Sequence, residues 1–151
     1  MRDPSAILRD PGLHRTIDLS RPVGLLLVAV LHFLADNEAT RAVAELRAAL
    51  APGSFIVLSH GTNDHFSSDT AARIPQLQRG NEIRYRPRSR EQIAGLVAGL
   101  HIVDPTSAHG AAMPLDPSGS QLVSVARWRP DPDERQLPPD ADVACYGLVA
   151  G

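Results

Sequence analysis

The segment Val23–Leu31 is apolar without polar alternation, and one helix-length interval later comes a second run of the same kind, Phe55–Leu58. A strand with one wet face alternates; a strand without alternation is expected to be covered on both faces, as in a parallel sheet. Two parallel strands need a crossover, usually a helix and almost always right-handed. The interval supplies one. Ala39, Ala42, Val43, Leu46 and Leu50 fall on one helical stripe, while Arg41, Glu45 and Arg47 lie mostly off it. Asp36 or Asn37 is placed to cap this helix with Glu38 in its first turn, and Ala51-Pro52-Gly53 stops it. The unit is strand, helix, strand.

In open α/β sheets, ligands bind outside the carboxyl ends of the strands. His32 follows the first strand and His60 the second, so both are expected on that rim.

The other elements are shorter. Asp3-Pro4 and Asp10-Pro11 each read as an N-cap with proline at the first helical position, opening helices over Pro4–Arg9 and Pro11–Thr16. Asp69–Arg79 has helical character that Pro75 is expected to interrupt. Ser89-Arg90-Glu91-Gln92 is a capping box, and the helix it opens carries Ile93, Leu96, Val97 and Leu100 on one side. Strands are expected over Leu100–Val103, Gln121–Arg127 and Val143–Ala150, with loops up to Ser120 and over Asp131–Asp142.

With 151 residues, no internal repeat and no linker, a single domain over 1–151 is expected. The formal net charge of −2 argues against nucleic acid as an obligatory partner. Arg84, Arg86, Arg88 and Arg90 form a local basic cluster, read either as a solvated loop and helix start or as an anion site. A single cysteine, Cys145, excludes an internal disulfide and fits a reducing compartment; its apolar flanks suit a core position. Val23–Ala35 is too short to span a bilayer and follows acidic residues, so neither a membrane anchor nor a signal peptide is read. A cytoplasmic protein is expected.

His32, at a strand end, suits substrate orientation or general-base work, and a packed histidine leaves the same signature. His60 has the same position, followed by a polar loop with Asp64 and His65. His60, Asp64 and His65 could be drawn as metal ligands, but no further ligand group with recognisable spacing accompanies them, and no metal is expected. Ile56–Gly61 also looks like the strand-then-His-Gly element of α/β-hydrolases, yet no Gly-x-Ser-x-Gly elbow exists. Nor is there a Gly-x-Gly-x-x-Gly turn or a P-loop.

The run Leu25–Leu34, the helix ending Leu46–Ser54 and the strand Phe55–Ser59 together resemble class I S-adenosylmethionine-dependent methyltransferases, whose fourth strand often ends in Leu-His. More narrowly, Asp3–Leu8, Arg21-Pro22-Val23, Arg88–Ile93, Trp128-Arg129-Pro130 and Tyr146-Gly147 resemble, in this order, a bacterial S-adenosyl methyltransferase family long classed as of unknown function. The resemblance implies an α/β fold: the C-terminal part of a Rossmann-like sheet, mostly parallel, with an antiparallel strand near the C-terminus. That family carries a glycine-rich turn and an acidic strand end upstream of the segment that here begins at Asp3. The chain therefore corresponds to the fourth through seventh strands, without the N-terminal cofactor-binding strands.

The implied activity is methyl transfer from S-adenosyl-L-methionine to a small-molecule acceptor, possible activity of this chain alone being an open point. Arg2 and Asp3 would lie near the adenine, and Ala29, Val30 and Leu31 would line the cofactor side. His32 would face the substrate or the methyl, with His60 and Asp64 on the substrate side. Left at an edge, Val23–Leu31 is expected to pair with a second copy. Two other classes stay open: a non-catalytic interaction domain, and a small hydrolase or metal-dependent enzyme using the His60-Gly61 loop.

Overall fold

The computed structural model describes residues 3–80, 84–103, 122–125 and 138–151. In chain order these form α1 (Pro4–Leu8), α2 (Pro11–Thr16), β1 (Gly24–Val28), a 3-10 turn (Leu31–Phe33), α3 (Asp36–Ala48), β2 (Phe55–Gly61), α4 (Ser68–Leu77), α5 (Arg90–Gly95), β3 (Val123–Ser124), α6 (Asp140–Val143) and β4 (Cys145–Ala150). The sheet order is β1-β2-β4-β3. β1 and β2 are parallel with Leu25 opposite Ile56 and Leu27 opposite Leu58. β4 runs antiparallel to both β2 and β3, so three strands share one direction and β4 alone opposes them. This is the α/β sheet expected from the sequence, with its antiparallel strand at the C-terminal end.

One face of the sheet is covered. Leu27, Ile56, Leu58, Leu148 and Ala150 pack against Ala39, Ala42, Val43 and Leu46 of α3 and against Ile93, Leu96 and Val97 of the α5 region. The predicted stripe of α3 is the buried one, and the capping box of α5 forms in full: Gln92 N–H donates to Ser89 Oγ, and Ser89 N–H to Gln92 Oε1. Gly53, at φ +85°, makes the turn after α3, where the adjacent Ser54 Oγ accepts from Val23 N–H at 3.1 Å and ties the starts of the two parallel strands.

On the other face, β1 is not covered by described residues. Leu26 is 66% and Val28 51% exposed, and Phe55, opposite Gly24, is also exposed. Among the described residues, the expectation of a strand dry on both faces therefore does not hold, and the expectation that this run is left at an edge does. Among the described strands β1 is an edge strand, and no described element packs on its second face. It is also shorter than Val23–Leu31, because Ala29 leaves the strand with φ +53° and Leu31 enters the 3-10 turn.

Smaller differences have local causes. The N-cap of α3 is Ala35 rather than Asp36 or Asn37: Glu38 accepts the Ala35 N–H at 2.8 Å, and the Asp36 carboxylate is engaged elsewhere. α4 continues through Pro75 to Leu77, on a turn exposed enough for the freed Ala71 carbonyl to be hydrated. In place of a strand over Leu100–Val103 there is one antiparallel bridge, Ile102 to Ala150. Of Gln121–Arg127, only Val123–Ser124 is a described strand, and Trp128-Arg129-Pro130 lies outside the described residues. No described helix is long and apolar enough to cross a membrane.

Candidate functional site

The carboxyl ends of β1 and β2 lie side by side because the strands are parallel and in register. Where the chain leaves β1, Ala29 takes a left-handed conformation, and its N–H donates to Ser59 of β2. Such a backbone is costly for a non-glycine residue and is held here by the neighbouring strand. The 3-10 turn then buries Leu31 and His32 beneath the rim, with His32 8% exposed. At the end of β2, His60 is fully buried.

Arg88 joins these ends. Its backbone runs alongside the end of β2, with Arg88 N–H donating to Gly61 O at 3.1 Å and Thr62 bridged to Arg88 in parallel. Its guanidinium is buried, and its donors are distributed over both strand ends. Nη1 donates to Leu31 O at 3.0 Å and to His60 Nε2 at 2.6 Å. Nη2 donates to Leu34 O at 2.9 Å and meets Asp36 Oδ1 at 2.9 Å, and Nε donates to the same carboxylate at 3.1 Å. A guanidinium has a rigid fork of five donors, so a single side chain can pin two carbonyls, a ring nitrogen and a carboxylate at once.

These bonds define the histidines. His60 donates from Nδ1 to Gly61 O at 2.7 Å and accepts from Arg88 at Nε2, the pattern of a neutral ring. Burial, opposed by the Gly61 hydrogen bond and reinforced by the Arg88 charge, holds its pKa down to about 4. His32 is also held below the usual histidine range, first by burial and then by Arg88. Its Nδ1 faces the Gly61 N–H at a long 3.5 Å, which makes Nε2 the protonated nitrogen of the neutral ring. The His32 ring packs edge-on against Phe33, Tyr85 and His60, with centroids 4.4, 4.9 and 5.4 Å away. Gly61 is required beneath Tyr85: a Cβ there would run into the Tyr85 hydroxyl.

A second group lies beside the first. Asp64 Oδ2 accepts the Arg90 N–H at 2.9 Å at the start of α5. Arg90 stacks over the Tyr146 ring at 4.4 Å and donates to Leu122 O, while the Tyr146 hydroxyl meets His65 Nε2 at 3.1 Å.

The residues anticipated for the site are thus distributed unevenly. Ala29, Val30, Leu31 and His32 follow one another along the rim after β1, with Ala29 exposed and Val30 half-buried. His60 is brought next to His32 but is sealed, with both ring nitrogens occupied. Asp64 holds the start of α5. Asp3 caps α1, its Oδ1 accepting from Ala6 N–H at 3.0 Å and from Ser5 Oγ at 2.7 Å. Arg2 lies outside the described residues. No group of three potential metal-ligating side chains occurs among the described residues. Burial raises the Cys145 thiol pKa, which disfavours the thiolate. Sequence reasoning missed Arg88, Asp36 and Tyr85. The arginine cluster was the available signal, but spacing does not tell which of four arginines turns inward.

A parallel βαβ pair with a histidine cluster at its carboxyl rim, followed by an antiparallel last strand, defines a Rossmann-like α/β sheet. The whole chain, residues 1–151, matches the model of the S-adenosyl methyltransferase family, and the chain belongs to that family. It is similar to the crystal structure of a duf574 family protein from Streptomyces avermitilis, with TM-score 0.76 and 30% identity over 99% of this chain and 51% of that one. It is also similar to a protein described as a candidate methyltransferase from Thermobifida fusca, with TM-score 0.75 and 26% identity over 99% of this chain and 50% of that one. The chain thus spans about half the length of these two proteins. No curated protein matches it.

Proposed function

We propose that the chain is the C-terminal portion of a class I methyltransferase domain, which uses S-adenosyl-L-methionine to methylate a small-molecule acceptor. The observation that carries this reading is the rim Ala29–His32. It lies at the carboxyl end of β1, beside the parallel β2, in a chain that matches the family along its whole length.

The residues present suit one side of the cofactor. Ala29 is small, exposed and held in a left-handed turn, so a flat ligand can approach its backbone closely. Val30, half-buried, continues the apolar wall, whereas Leu31, expected to line it, is fully buried beneath the rim and supports it from below. The described residues offer no glycine-rich turn for the amino-acid end, so a partner segment carrying one would complete the cleft. When bound, the sulfonium supplies an activated methyl group. His32, kept neutral, offers its Nε2–H to orient the acceptor. Arg88 and His60 act beneath it by holding the two strand ends together. Methyl transfer is an in-line displacement, to which a protein contributes mainly alignment and exclusion of water. Asp3 and Arg2 on the adenine side and Asp64 on the substrate side remain part of the proposal. The exposed edge of β1 is where a second copy would pair if the chain dimerises.

Calorimetric titration with S-adenosylmethionine tests the reading on two proteins: this chain, and this chain joined to the remaining portion of the Streptomyces avermitilis relative. The expected result is little or no binding by the first and micromolar binding by the second. In the joined protein, His32→Ala is expected to lower methyl transfer much more than cofactor affinity. A folded joined protein that ignores the cofactor would reject the proposal. Micromolar binding by the chain alone would reject its division of the cleft.

A further inference from the structure

The four clustered arginines separate into two pairs. Arg88 and Arg90 turn inward and are consumed by the strand ends and by Tyr146. Arg84 and Arg86 are exposed and line a cavity of about 520 Å³ together with Arg79 from the end of α4. Ile74 and Pro75 of α4 and the ring of Tyr85 supply apolar wall to the same cavity. Among the described residues, the guanidinium groups of Arg79, Arg84 and Arg86 have no ion pair and no hydrogen-bond acceptor. Three cations around one concavity, without an acidic partner among the described residues, are a concentrated positive charge in a chain of net charge −2. Tyr85 belongs both to this cavity and to the ring cluster of His32, so the cavity adjoins the proposed reaction rim.

Resting on the methyltransferase reading, we propose that this cavity binds the acceptor, and that the acceptor is a small molecule with a carboxylate on a flat apolar body. The guanidinium fork matches the two oxygens of a carboxylate. Tyr85 and Pro75 offer flat apolar contact, and the volume suits a small ligand. The acid end lies among Arg79, Arg84 and Arg86, and the opposite end of the molecule lies toward Tyr85 and His32.

The probes are isophthalate, its neutral isostere isophthalamide, and phenyl phosphate, titrated by calorimetry into the 151-residue chain without cofactor. Isophthalate is expected to bind, and isophthalamide to bind at least about tenfold more weakly, since hydrogen bonds to charged groups carry most of the affinity. Arg84→Gln/Arg86→Gln, both at exposed positions, should raise the isophthalate Kd about tenfold while leaving the thermal midpoint unchanged. Arg9→Gln/Arg15→Gln, the same charge change at exposed positions at the ends of α1 and α2 that do not line the cavity, should leave the Kd within twofold. Equal binding of acid and amide, an unaffected double variant, or an equal loss from the remote pair would overturn the assignment. Tighter binding of phenyl phosphate would replace carboxylate by phosphate and overturn the assigned class. Because no cofactor is present, these results are independent of whether the joined protein transfers methyl groups.

Discussion

Replacing Arg88 by methionine tests the claim that one buried guanidinium holds the two strand ends together. The side chain is 3% exposed and donates to Leu31 O, Leu34 O and His60 Nε2 besides Asp36. Methionine fills similar space without donors, so three acceptors lose their partner. An orphaned buried acceptor costs about 1–3 kcal/mol, and the three share one site, so their sum is not additive. The Asp36 carboxylate is 77% exposed and rehydrates, so its loss is left out. The net expectation is about 3–5 kcal/mol, at the lower end of the sum of three such penalties. Against a total stability of about 5–15 kcal/mol for a domain, this brings the protein near its unfolding limit. Arg88→Lys should recover only part of the loss, since an ammonium cannot span the same acceptors. Urea denaturation followed by circular dichroism at pH 7 measures both variants. A methionine variant within about 1 kcal/mol of wild type would refute the clamp and show that water or rearranged donors serve these carbonyls equally well.

Three further outcomes follow from the same geometry. His60 has its pKa lowered to about 4 in the fold, so the unfolded chain binds the extra proton first; stability is full above about pH 6.5 and falls as pH drops toward 4. Between pH 7 and 5 the loss from His60 is about 2 kcal/mol, with His32 acting in the same direction, and a urea midpoint that stays flat over that range would contradict it. Gly61→Ala forces a Cβ against the Tyr85 hydroxyl and ring and should cost about 1–3 kcal/mol, with Tyr85→Ala in the same chain relieving the clash; equal stability of Gly61→Ala and wild type would count against the packing described. The exposed Leu26 and Val28 on an edge strand should drive self-association that Leu26→Lys/Val28→Lys suppresses, and light scattering showing a wild-type monomer across a concentration series would remove that expectation.

The strand–helix–strand unit was legible because its information is local. Ala39, Ala42, Val43 and Leu46 repeat at helical spacing, Gly53 marks a turn that needs a positive φ, and the Ser89–Gln92 box closes on itself within four residues. Proline-led caps at Asp3 and Asp10 are local in the same sense. Two parallel strands also oblige their ends to share a rim, so the proximity of His32 and His60 followed from topology alone. What each residue does there did not. Asp36 reads as a helix cap, and the folded chain uses it as a counter-ion for an arginine 52 positions away. Arg84, Arg86, Arg88 and Arg90 are equivalent in sequence, yet two are drawn inward and two face a cavity. That the run Val23–Leu31 is left at an edge was legible from the lack of flanking strands, but which of its side chains, Leu26 and Val28, face outward was set by the fold. Periodicity and capping depend on neighbours in the chain and can be read from it. Which donor meets which acceptor, and which apolar face finds a partner, depends on groups brought together only by folding.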